Sequence, residues 1–125
     1  MTKLFFDGGL RPAGMELAVV VGGRLHVESD LGPGTSMEAE WRALIAAARL
    51  ALRLEITDPV LLGDAAAVIA QASGRVRVPP AYRTLAGTYT GLPRMRLRYI
   101  RRAQNLAGIA LERRHGGRQP FALLD

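Results

Sequence analysis

Three carboxylates stand where a solvated surface does not account for them. Asp7 closes a short apolar and aromatic run (KLFFD, residues 3–7), Glu40 lies beside the apolar stripe of an alanine- and leucine-rich segment, and Asp64 follows the apolar VLLG where that run ends. Carboxylates gathered at the centre of a fold repel one another and lose hydration, so they stay ionised only beside a cation. Hard divalent ions choose oxygen ligands, which makes Mg²⁺ or Mn²⁺ the natural partner. Each acid alone has a plainer use: Asp64 as a helix cap, Asp7 opening a turn with Gly8, Glu40 as a partly exposed helix acid. Their joint placement on neighbouring elements points to chemistry.

Composition removes most other chemistries. The chain has 125 residues and no cysteine, so thiolate metal sites, iron–sulfur clusters, disulfides and cysteine nucleophiles are excluded. Only two histidines are present, His26 and His115, and both read as ordinary surface residues. GGLRPAG and GPGTS are rich in glycine but lack the lysine followed by Ser/Thr of a phosphate loop, and no GxGxxG follows a strand, so no nucleotide cofactor is expected. The longest nearly apolar stretches, 43–54 and 60–70, are broken by Arg49, Arg53 and Asp64 and fall short of the roughly 20 residues of a membrane helix. The opening MTKLFFDGG interrupts any leader-like apolar run with an aspartate, and the expected location is cytoplasmic.

The elements that must position the acids follow from periodicity and turn chemistry. Residues 3–7 read as a strand that stops at a flexible Gly8-Gly9 turn; residues 15–22 and 24–29 flank Gly22-Gly23, a two-residue hairpin signal. Thr35 three residues before Glu38 makes a capping box for a helix running to about residue 54. Its buried stripe is Met37, Trp41, Leu44, Ala48 and Ala51, and Glu40 lies about 40° around the helix from Leu44, toward the sheet. VLLG is a strand buried on both faces, and Asp64 opens the helix AAAVIAQASG. A weaker helix follows at about 80–90, then a last strand in MRLRYIR and a helix at about 103–114. A strand entered after a long helical crossover implies a parallel partner for the first strand. The expected fold is a single α/β domain over residues 1–125, a mixed sheet flanked by helices, with 115–125 as a loosely docked tail.

The charge balance suggests a polyanionic partner. Lys and Arg total 17 against 11 acids, for a formal net charge of +6, and all but Lys3 of the cations are arginine. Eight arginines fall between Arg94 and Arg118. Arginine's planar fork of donors suits backbone phosphates, and the alternating arginines of the last strand would bind them with little regard to base sequence. Trp41 is expected in the core. Of Tyr82, Tyr89 and Tyr99, two are expected to pack with outward hydroxyls.

LFFDGG, TSMEAEWRAL, LLGDAAAVIAQASG and RRAQNLAGIAL resemble the four successive sequence blocks of the ribonuclease H type 1 family, across about residues 3–112. The resemblance implies a five-stranded mixed sheet in the order 3-2-1-4-5, with strand 2 antiparallel, and cleavage of the RNA strand of an RNA–DNA hybrid. It implies Asp7, Glu40 and Asp64 as catalytic and metal-holding acids around two ions roughly 4 Å apart. Gly8, Gly9, Arg101, Arg102 and Asn105 are implied to face the nucleic acid. At the fourth acid the chain departs from the family: with Arg102 and Asn105 aligned, Gly108 and Ile109 stand where Ala-Asp is usual. Glu112, one turn on, and Asn105, one turn before, are candidate substitute ligands. The family's flexible-loop histidine has no counterpart before the last helix. The second ion is therefore short of a ligand, which implies a weak or Mn²⁺-dependent enzyme; the alternative is an impaired module that binds nucleic acid without efficient cutting.

Overall fold

In the computed structural model, which describes residues 1–116 and 122–123, the apolar alternation of the N-terminus builds a longer strand than the glycines suggest. Strand β1 runs over Thr2–Arg11 and β2 over Gly14–Val21, paired antiparallel so that Gly8 faces Leu17 and Gly9 faces Glu16. The expected turn at Gly8-Gly9 is thus a stretch of paired strand, and the chain reverses at Pro12-Ala13 instead. Gly22 and Gly23, with φ of 56° and 72°, form the hairpin into β3, Arg24–Glu28; two positive φ values match the right-handed strand twist.

Helix α1, Ser36–Arg53, starts where the Thr35 side chain accepts from the Glu38 backbone N–H at 3.0 Å. The Glu38 carboxylate pairs with Arg42 one turn on. Strand β4, Pro59–Gly63, lies parallel to β1, and α2 follows at Ala66–Ala72. After a single 3₁₀ turn at Pro80–Tyr82 come α3, Arg83–Thr90, and β5, Arg96–Tyr99, parallel to β4. A second short turn, Arg102–Gln104, leads into α4, Leu106–Gly116.

The five expected strands lie in the order 3-2-1-4-5. A sixth, β6, Ala122–Leu123, adds to the outer side of β3 in parallel. Of the stretch expected as a loose tail, 115–116 belong to α4 and 122–123 to β6; the rest lies outside the described residues.

Two apolar layers hold the sheet. On one face Leu4, Phe6, Val19 and Leu61 pack against Trp41, Leu44, Ala48 and Ala51 of α1. On the other, Ala18, Val20 and Leu25 meet Ala107, Ala110 and Leu111 of α4. Trp41 is fully buried, donates from Nε1 to Gln71 Oε1 at 3.1 Å and meets the Tyr89 ring edge-on, so its polar edge is satisfied inside the core. Tyr82 shares a 2.8 Å hydrogen bond with Thr35, while Tyr99 is exposed. No helix among the described residues is long and apolar enough to cross a membrane.

Candidate active site

Strand alternation puts Asp7 on the opposite face from Phe6, beneath α4. There the helix has a glycine: a Cβ on Gly108 would come 3.2 Å from Asp7 Oδ2, so the backbone of α4 is close to the carboxylate. One residue on, Gly8 faces α1. A Cβ there would overlap the Ala39 carbonyl and come 2.6 Å from the Glu40 nitrogen. Glycine at this position lets β1 press against the first turns of α1, which brings Glu40 beside Asp7.

Asp64 arrives from β4. The N-cap of α2 is Ala65, without a side-chain capping bond, while the Asp64 backbone carbonyl accepts from Ala66. The plain reading of Asp64 as a helix cap is therefore not met, and its carboxylate faces the other acids. Asn105 fixes it there. Fully buried, Asn105 donates from Nδ2 to the Phe6 carbonyl and to Asp64 Oδ1, both at 2.9 Å, while its own Oδ1 accepts from Ala107 N–H at 3.1 Å. This corrects Asn105 as a substitute ligand or nucleic-acid contact: its oxygen caps α4 and its amide ties β1 to β4. Replacing Asn105 by alanine removes three bonds in a buried place and is expected to cost about 2–3 kcal/mol. Urea unfolding checks this.

Asp7, Glu40 and Asp64 line one cleft of about 820 Å³, with Gly8, Gly9, Arg102, Tyr99, Gly108, Ile109 and Glu112 also on its walls. Burial, then the charges of Asp64 and Glu40, then hydrogen-bonding contact with Asp64, push the Asp7 carboxyl up to about 7, with Arg102 opposing. Burial and Asp64 likewise raise Glu40, again against Arg102. Such crowding is what a divalent cation relieves, and oxygen donors suit Mg²⁺ or Mn²⁺. The acids interact in pairs: Asp7 touches Asp64, while Glu40 acts on both through space. Among the described residues no three acids, histidines or cysteines close around a single ion. The resemblance places these acids around two ions, and in this arrangement the three do not gather about a single one. A pairwise layout, with Asp7 common to two ions, asks less of the geometry.

Arg102 is highly exposed, with Nε 3.7 Å from Asp64 Oδ2. Arg101 is exposed and leads the short turn before α4, and its backbone N–H donates to Gln104. His26 pairs with Glu28 on β3. His115 is not plain surface: it lies within α4 and bonds Glu16, a buried acid that also holds Arg11. Glu16 was detectable as the one charged residue in GMELAVVV, a strand otherwise of glycine and apolar residues.

Scans of protein-family models and of the curated proteins each give no match. Solved structures do match. The N-terminal RNase H domain of a Mycobacterium tuberculosis protein is 26% identical with a TM-score of 0.68, over 89% of this chain and 93% of that one. RNase H1 of the halophilic archaeon Halobacterium salinarum is 27% identical with a TM-score of 0.67, over 89% and 97%. LC11-RNase H1, solved with an RNA/DNA hybrid, shares the fold at 23% identity and a TM-score of 0.68, over 85% and 89%.

Proposed function

We propose that this chain, ribonuclease H-like in fold and in its structural neighbours, is a metal-dependent endonuclease that cuts the RNA strand of RNA–DNA hybrids. The observation that carries the proposal is the common cleft of Asp7, Glu40 and Asp64, whose crowding calls for divalent cations. The neighbour solved with an RNA/DNA hybrid supports the substrate class.

In this reading Asp7 and Asp64 would hold one ion, and Asp7 and Glu40 the other. Divalent ions held by these acids would supply Lewis-acid chemistry for phosphodiester hydrolysis. The chain's own part is positioning: Asn105 locks the Asp64 carboxylate, Gly8 lets Glu40 approach, and Arg102 partly neutralises the cluster and meets the incoming phosphates together with Arg101. Gly8 and Gly9 expose backbone at the cleft. Where the family has its fourth acid, Gly108 and Ile109 line the cleft, and Glu112 lies on the same wall. With that acid missing, the leaving oxygen loses one stabilising contact, worth on the order of 3 kcal/mol or about a hundredfold in rate. A slow or Mn²⁺-preferring enzyme is the expected result. Glu112→Gln lowers the remaining rate further if Glu112 is the substitute ligand, and an unchanged rate removes it from that role.

The apolar Ile109 at the acid's position favours a second reading, a module that binds hybrids without cutting. An end-labelled hybrid incubated with Mg²⁺ or Mn²⁺ separates the two: RNA-strand cleavage supports the nuclease, and salt-sensitive binding without cleavage in either metal supports the module.

A further inference from the structure

Beyond the three acids the cleft has a second charged cluster, built around a carboxylate that the proposed chemistry does not use. Glu16 is only 3% exposed, on the face of β2 that carries Ala18 and Val20 against α4. Its Oε2 accepts from Arg11 Nε at 3.0 Å, and its Oε1 lies 2.8 Å from His115 Nε2. Arg11 comes from the end of β1 and His115 from the last turn of α4, so three elements meet on one buried carboxylate.

A core position has no need of this. Burying a carboxylate is costly, and an apolar side chain usually packs there at least as well. What the carboxylate does achieve is orientation. It fixes an arginine and a histidine side chain by one nitrogen each, while both remain partly open to solvent, Arg11 at 37% and His115 at 40%. Among the described residues no second acceptor engages either side chain. The terminal guanidinium nitrogens are left to donate to a ligand, as is the imidazole Nδ1 when the ring is protonated. Arg11 and Glu16 both line the cleft of Asp7 and Asp64. By strand geometry Glu16 lies two residues along and one strand across from Asp7, about 8 Å away, roughly one nucleotide step along a bound strand.

We propose that Arg11 and His115, anchored on Glu16, form a phosphate clamp at the rim of the cleft. The clamp holds a backbone phosphate neighbouring the one at the acids. Resting on the nuclease reading, this assignment adds a substrate-positioning site made from β1, β2 and α4. Arginine suits the role, since its fork can hold Glu16 by Nε and a phosphate by its terminal nitrogens.

The test uses the full chain and an RNA–DNA hybrid in Ca²⁺, with neutral methylphosphonates replacing single RNA phosphates in turn. For the wild type, one substitution is expected to weaken binding about tenfold, the worth of a charge-assisted hydrogen bond. In the double variant Arg11→Gln/His115→Gln, binding of the unmodified hybrid should fall by a similar factor, and the same methylphosphonate should then cost nothing further. Loss of affinity by misfolding cannot produce insensitivity at one phosphate only. Equal sensitivity of variant and wild type at every phosphate overturns the clamp while leaving the nuclease reading intact. No binding of the hybrid by the wild type removes both.

Discussion

Asp7→Asn is expected to abolish hybrid cleavage and, in the absence of divalent ions, to make the protein more stable. The two effects have one cause. The Asp7 carboxyl is held at about 7 against an ordinary 3.8, so folding favours its protonated form. A raised acid contributes its full stability below the unfolded value, and this is lost as pH rises from about 4 through about 7. At pH 8 the ionised carboxylate costs the fold on the order of 4 kcal/mol. The neutral amide escapes that cost and can donate to Asp64. Urea unfolding in chelator at pH 8 should therefore favour the variant by about that amount, and the gap should close by about pH 4. Activity moves the other way. Losing the acid common to both ion positions is expected to lower cleavage by at least about a thousandfold. A variant no more stable than wild type at pH 8 would mean that the acids do not strain one another.

The second large effect is structural. Gly8→Ala places a methyl group on the Ala39 carbonyl, and neither neighbour can yield: one is the central strand, the other the backbone of α1. Overpacking usually costs about 1–3 kcal/mol when side chains can shift, and backbone against backbone exceeds that. The expected outcome is a loss above about 3 kcal/mol, with any folded remainder displacing α1 and withdrawing Glu40 from Asp7. Thermal unfolding and residual cleavage together check it. Gly9→Ala is the control, since its Cβ would meet Glu16 only at 3.6 Å and should leave stability within about 1 kcal/mol.

The sequence alone reveals whatever breaks a local pattern. An aspartate ending an aromatic run, an acid beside a helix's buried stripe and an aspartate after VLLG each conflict with their surroundings, and they converge in space. Thr35 and the Gly22-Gly23 pair signalled their elements by local backbone chemistry, which needs no tertiary partner. The misreadings all involve partners far along the chain. Gly8 looks like a turn glycine until α1 lies against it. Asn105 looks like an exposed polar contact until Phe6 and Asp64 are seen to share its amide, and His115 until Glu16, 99 residues away, is found beneath it. Residues 122–123 extend the sheet only because β3 presents an open edge.

Mn²⁺ titration calorimetry on the wild type, Asp7→Asn and Glu40→Gln bears most directly on whether these carboxylates act as a divalent-ion site. The wild type is expected to bind Mn²⁺, Asp7→Asn to lose nearly all binding, and Glu40→Gln to lose part of it. Equal Mn²⁺ affinity in all three proteins, or none in the wild type, would contradict the account.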